Sequence, residues 1–373
     1  NTTLYFYIHI SRHFNFMVKR LIVHLGDCKT GSTSIQSILA HRSWQSSTHT
    51  LSYPTQFNHG GLAKSLFTKS LNKFKDQRCK DISRKFRESD ADIGVISSEA
   101  FEFCDPQLLN DAINEYFPEF KDSVSLISYI RPHCSRILAS FSEQVKKGGF
   151  NGSLSEFLHD FVDEKERTNY FSRCQLWRQI FGSRYRIKPM IPEMLNQKDV
   201  VMDFLYECFG DNNFKITAPT RLNESVTVED LSILRYMHLK LLTLKGQRLI
   251  GQQKLGTHLS IILSQIPGES RTKLAFHKTL LDQVVERHKA DAEYMDSEFF
   301  PEVNNPMQKS LEQASTKFID QEQSLDASHY YSGETLRMVD CWLEFSRRLL
   351  VADPYHFDMM ARIPGKRNTN SKL

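Results

Sequence analysis

The passage Leu21–Gln36, LIVHLGDCKTGSTSIQ, constrains the fold of this chain more than any other. Arg20–Leu25 is a short apolar run that predicts a buried strand. It enters a glycine-bearing turn and then Thr33–Trp44, where Ile35, Ile38 and Leu39 share one helical face. Asp92–Ser97 (DIGVIS) and Ser123–Ile130 (SVSLISYI) predict two more buried strands, and Arg184–Lys188 a further one. Helical patterns at Pro106–Tyr116, Ser135–Lys147, Leu154–Asp163, Cys174–Phe181 and Asp199–Phe209 lie between and after them. Alternation of this kind marks an α/β domain with a mainly parallel central sheet.

The pattern changes from about Asn223. Val228–Lys245, Arg271–Met295 and Thr335–Leu350 are charge-rich and helical in period, with no clear strand among them. Gln308–Ser328 is polar and reads as loop, and the tail Gly365–Leu373 reads as frayed. These shifts predict an α/β domain over 17–225 and a mostly helical extension over 226–373. Residues 1–16 fall outside the expected fold, because Met17 stands directly before Val18-Lys19-Arg20 and reads as a natural start. That segment lacks an apolar core followed by a small-residue cleavage site, so it does not read as a signal peptide.

Composition narrows the function classes. The 48 basic and 44 acidic residues leave a formal charge of +4, too balanced for a dedicated nucleic-acid binder. The 7 cysteines are scattered without a CxxC pair, which argues against a zinc site or disulfide framework and for a reducing compartment. No apolar run reaches the ~20 residues of a membrane span. The expectation is therefore a soluble, cytoplasmic protein without a metal.

The glycine turn carries the first chemical signal. A strand-to-helix turn aims backbone N–H groups at one point, and the helix dipole adds positive potential there. Lys29 supplies a cation, Thr30, Ser32 and Thr33 supply hydroxyls, and Gly26 and Gly31 let an anion approach the backbone. The nucleotide triphosphatase motif G-x-x-x-x-G-K-[ST] is not matched, since here the lysine precedes the second glycine.

G-x-x-K-T-G-[ST]-T after a first strand resembles the 5′-phosphosulfate loop of sulfotransferases, particularly a bacterial sulfotransferase-like family. The resemblance spans roughly Lys19–Arg235. It implies a P-loop-type three-layer α/β sandwich and 3′-phosphoadenylyl sulfate (PAPS) as sulfuryl donor. By it, Lys29 would contact the 5′-phosphate and the bridging oxygen. Cys28, inside the loop, reads as a passive side chain rather than a catalytic thiol.

Ser128–Gly148, SYIRPHCSRILASFSEQVKKG, carries a second signal: a strand ending in Arg131-Pro132, followed by a helix. The planar guanidinium suits phosphate. The arrangement resembles the 3′-phosphate motif of the same family, with Arg131 matching its first arginine and Arg136 its second. The family's serine falls on Ala139, with Ser140 next to it. Either a local bulge brings Ser140 into that place, or Ser135 or water substitutes.

Sulfuryl transfer requires aligned reactants, a stabilised leaving oxygen and removal of the acceptor's proton. Glu99, after the strand ending at Ser97-Ser98, is the first candidate base; His59, in the Asn58-His59-Gly60-Gly61 turn, is the second. His133 reads as a helix N-terminal residue or nucleotide neighbour, and His24 as core. The expected partners are a nucleotide donor and a hydroxyl-bearing acceptor, carbohydrate or small molecule. The helical extension would be a lid, an acceptor surface or a homodimer contact. The competing readings are a non-catalytic sulfotransferase-like nucleotide- or glycan-binding protein and, less well supported, a P-loop kinase.

Overall fold

A computed structural model of the chain describes residues 17–163, 168–217, 226–243 and 246–361. It divides into two compact units. Of the described residues, one comprises those up to Ile130 together with those of 175–217; the other comprises those from Arg131 to Cys174 and those from Val226 onward. The expected contiguous split at 225/226 differs from this division, because Arg131–Cys174 packs with the C-terminal helices. The expected frayed tail and the expectation for residues 1–16 lie outside the described residues.

The first unit is a mixed α/β structure. Its strands are β1 (Arg20–His24), β2 (Trp44–Ser46), β3 (Leu51–Ser52), β4 (Ile93–Ser97), β5 (Ser125–Ile130), β6 (Tyr185–Pro189) and β7 (Phe214–Ile216). Five form a parallel sheet in the order β3-β4-β1-β5-β6. β2 and β7 pair antiparallel as a separate ribbon. The central strands are buried on both faces, which is why they read as continuous apolar runs rather than alternating ones.

Side chains alternate across such a sheet. Ile22, Ile93, Val95, Ile127 and Tyr129 point to one face, against Ile35, Ile38 and Leu39 of helix Ser32–His41 and Val201, Phe204 and Leu205 of helix Val200–Phe209. The opposite face carries helix Lys75–Arg87: a Cβ on Gly94 would come within 2.9 Å of the Phe86 ring. Helices on both faces make the sandwich anticipated for this region. Helix Ser32–His41 stops short of the predicted Trp44 because Arg42 turns left-handed at φ 51° and returns the chain as β2.

The second unit is helical throughout its described regular elements, apart from an isolated bridge between His277 and Ile319. Leu234, Met237, Leu241, Leu255, Leu343 and Leu350 form a core of its own. Helices Gln252–Gln265 and Pro306–Ser315 were not expected, and the second replaces part of the predicted polar loop. Helix Gly333–Ala352 buries Leu343 and Leu350 while Met338, Trp342, Phe345 and Leu349 remain exposed. Among the described residues, no helix is long and apolar enough to cross a membrane.

Candidate active site

The glycine turn after β1 forms a tight left-handed loop. Gly26, Lys29 and Gly31 have φ of 57°, 71° and 78°. Successive turns of this kind direct backbone N–H groups inward and make an anion-binding concavity. A Cβ at Gly31 would meet Val200 Cγ1 at 2.5 Å, and one at Gly26 would meet the Glu99 Cα at 2.9 Å, so packing as well as φ requires glycine at both. Gly31 is the N-cap of helix Ser32–His41 and provides no side-chain cap. The first-turn N–H groups of Ser32 and Thr33 therefore belong to those that an α-helix leaves without an internal acceptor.

The hydroxyls of the loop divide between two tasks. The Thr30 hydroxyl is buried, donates to the Asp27 carbonyl at 2.7 Å and accepts from the Asp27 N–H at 3.2 Å. Ser32, also buried, donates to the same carbonyl at 3.4 Å. These two brace the loop. Thr33 is exposed, and Lys29 is half-buried at the turn.

Glu99 begins a short 3-10 turn, Glu99–Phe103, capped by Ser98, whose Oγ accepts from the Ala100 N–H at 3.1 Å. The Glu99 backbone packs on Gly26 and its side chain is exposed. Three residues on, the half-buried Glu102 carboxylate accepts from the Cys28 N–H at 2.9 Å. In the sequence Glu102 carries no signal of this contact beyond its position shortly after Glu99.

His59 is buried at the same C-terminal end of β4. Its Nδ1 accepts from the Ser97 N–H at 3.1 Å, and its backbone N–H donates to the Ser97 carbonyl at 2.9 Å. With Nδ1 accepting, Nε2 bears the ring proton. Burial lowers the His59 pKa to about 3. In this geometry neither ring nitrogen has a lone pair open to an acceptor hydroxyl. His24 is buried in β1, as its alternation suggested, with Nδ1 2.8 Å from Ser97 Oγ and a pKa lowered by burial to about 3. Gln36 donates to the same Oγ at 3.2 Å and accepts from Asn58 Nδ2 at 3.3 Å. Ser97, Gln36 and Asn58 thus tie β1, β4 and the first helix together beneath the loop; ordinary polar residues carry no sequence signal for such a role.

Arg131 follows directly on the last residue of β5 and is half-buried. Its Nε donates to Ser135 Oγ at 3.3 Å, and Ser135 donates onward to the Pro132 carbonyl at 2.9 Å. The Tyr170 hydroxyl donates to the Arg131 carbonyl at 2.6 Å. Burial lowers the Arg131 pKa from the ordinary arginine value, opposed by Tyr170. Helix His133–Lys146 is unbroken, so no bulge turns Ser140 into the place of Ala139; on a regular helix the two stay about 100° apart. Ser135 supplies a hydroxyl in contact with the Arg131 guanidinium.

Asp291 sits behind this segment. It accepts from the Tyr170 and Phe171 N–H groups at 3.1 and 2.8 Å and lies 2.8 Å from His133 Nε2. His133 is buried and packs its ring against Tyr170 and His288, with centroids 4.9 and 4.8 Å away. Among the described residues, no group of three or more His, Cys, Asp or Glu side chains is arranged to hold a metal ion.

No family model and no curated protein matches the chain. Among solved structures, the crystal structure of a sulfotransferase from Alicyclobacillus acidocaldarius is similar, at 13% sequence identity and a TM-score of 0.38, over 60% of this chain and 94% of that one.

Proposed function

We propose that the chain is a sulfotransferase that moves the sulfuryl group from PAPS to an acceptor hydroxyl by in-line displacement. The observation that carries this reading is the placement of Lys29 inside a left-handed loop between Gly26 and Gly31, at the junction of β1 and its helix. Backbone amides and a helix N-terminus fit a phosphate group there, and a lysine within the turn fits the oxygen bridging phosphorus and sulfur.

In the proposed reaction the acceptor oxygen attacks sulfur, the bond from sulfur to the bridging phosphate oxygen breaks, and the nucleotide bisphosphate leaves. Lys29 neutralises the charge developing on that oxygen, the role magnesium shares in kinases. Thr30 and Ser32 hold the loop in shape, and Thr33 with the first-turn amides binds the 5′-phosphate. The Glu99 carboxylate takes the acceptor proton, its exposure leaving it open to an incoming hydroxyl. His59, neutral and committed to Ser97, positions the end of β4 and thereby Glu99. Arg131, steadied by Ser135 and Tyr170, is assigned to the 3′-phosphate on its resemblance to the family motif. The acceptor is a carbohydrate or small molecule, and the helices from Val228 onward are assigned to acceptor binding or dimerisation.

Ala139, in place of the family serine, favours a second reading, a sulfotransferase-like protein that binds nucleotide or glycan without transfer. Calorimetric titration with adenosine 3′,5′-bisphosphate, alongside radiolabelled sulfate transfer from PAPS into fractionated cell extract, separates the readings. A transferase binds the bisphosphate and labels an acceptor, and Lys29→Ala abolishes the labelling. Binding without labelling supports the second reading, and preference for ATP with magnesium points to a kinase. Undiminished transfer by Lys29→Ala would sink the mechanism.

A further inference from the structure

The loop built to receive an anion already holds one of the chain's own. The Glu102 carboxylate accepts from the Cys28 N–H at 2.9 Å, the same charge-assisted bond that a phosphate oxygen makes to a backbone amide. The position of Glu102 is set by its turn. Ala100 and Phe101 are buried, Ser98 caps the start, and the Cys104 N–H closes the end on the Phe101 carbonyl at 3.0 Å. The contact joins residues 74 apart in sequence, and it places negative charge against the inner part of a loop whose other features favour anions.

We infer that Glu102 is an internal competitor for the anion site, a carboxylate that holds the Cys28 amide against small inorganic anions. The inference rests on the reading that this loop takes a donor phosphate. Any anion entering must displace the carboxylate or bind beside it against like-charge repulsion. Inorganic phosphate has only the loop to gain. A nucleotide bearing two phosphates and a ring meets the same penalty but has additional contacts that keep it bound, so Glu102 leaves the loop empty of phosphate and still open to the nucleotide.

The test is calorimetric titration of wild type, Glu102→Gln and Glu102→Ala with sodium phosphate and with adenosine 3′,5′-bisphosphate, each protein first checked for cooperative thermal unfolding. The expected result is phosphate affinity about tenfold higher in both variants, the size of one charge-assisted hydrogen bond, with a comparable gain for the bisphosphate. Two variants are used so that a folding defect in one leaves the other to decide. If wild type binds the bisphosphate and neither variant gains phosphate affinity, this inference fails and the nucleotide reading stands. If both ligands bind the variants more weakly, Glu102 is a structural brace of the loop and the inference is likewise wrong. Failure of all three proteins to bind either ligand overturns it together with the nucleotide reading.

Discussion

The Tyr170 hydroxyl donates to the backbone carbonyl of Arg131 at 2.6 Å. The backbone at Arg131 is thus held in place by a buried hydroxyl. Tyr170 in turn is held by Asp291, which accepts its N–H at 3.1 Å. Tyr170→Phe removes one neutral hydrogen bond of about 0.5–1.5 kcal/mol. We expect adenosine 3′,5′-bisphosphate to bind roughly three- to tenfold more weakly to that variant, with little change in melting temperature. Unaltered binding in a calorimetric titration would show that this carbonyl contact does not position Arg131.

Glu99 and His59 separate as candidate bases by their surroundings. Glu99 is exposed, whereas His59 is buried and committed to Ser97. Glu99→Gln should lower kcat for sulfuryl transfer by about 10²–10⁴-fold, the range of general-base catalysis, with KM for the donor little changed. His59→Gln should act mainly on thermal stability. Steady-state kinetics on both variants would decide, and a larger kcat loss at His59 would reverse the assignment.

Burial lowers the pKa of His24 and His59 to about 3 and of His288 to about 4. An unfolded histidine titrates near 6.5, so below that pH the unfolded chain binds protons that the folded chain refuses. Stability from these groups is complete above about pH 7. It is lost as pH falls from about 6.5 toward 4, by up to about 1.4 kcal/mol per pH unit for each histidine. Thermal unfolding followed from pH 8 to 4.5 should show this decline. Replacing His24 with Phe should flatten it, and an equal slope in that variant would contradict the prediction.

Asp203, buried in helix Val200–Phe209, accepts from the Tyr129 hydroxyl, Lys188 Nζ and the Asn196 N–H at 2.7, 2.7 and 2.8 Å. Lys188 is partly exposed and keeps Glu207 Oε1 at 3.1 Å, which reduces the electrostatic share, yet the buried Tyr129 hydroxyl and the Asn196 N–H lose their acceptor together. Asp203→Ala should destabilise the fold by about 3–5 kcal/mol. Urea unfolding measures this directly, and a loss below about 1 kcal/mol, the value of one ordinary hydrogen bond, would refute it.

Legibility in the sequence follows the range of the interactions. β1, β4 and β5 are five- or six-residue strands buried almost throughout, so each reads as an apolar run whatever its neighbours. β2, β3 and β7 have three, two and three residues and are only half-buried, too short for any period to show. Helix Lys75–Arg87 is masked by its charges, because only Cys79, Ile82, Ser83 and Phe86 turn inward. The turn from Gly26 to Thr33 is legible because a strand, two glycines and a helix follow one another within a few residues. The hydrogen bonds of Glu102 to Cys28 and of Asp291 to Tyr170 span 74 and 121 positions. Nothing in a linear reading joins residues that far apart. The same holds for Ser140: its rotation away from position 139 depends on the helix running without a bulge, which the local sequence left open.

Lys29, at φ 71°, occupies a conformation that costs a residue bearing a Cβ about 1–2 kcal/mol and costs glycine almost nothing. Lys29→Gly should therefore give a chain that resists heat better and transfers nothing. In a library screened for thermostability alone, that substitution would be enriched; in one screened for transfer, it would vanish. The frequency of glycine at position 29 under the two selections would show whether this loop gives up durability for the proposed transfer.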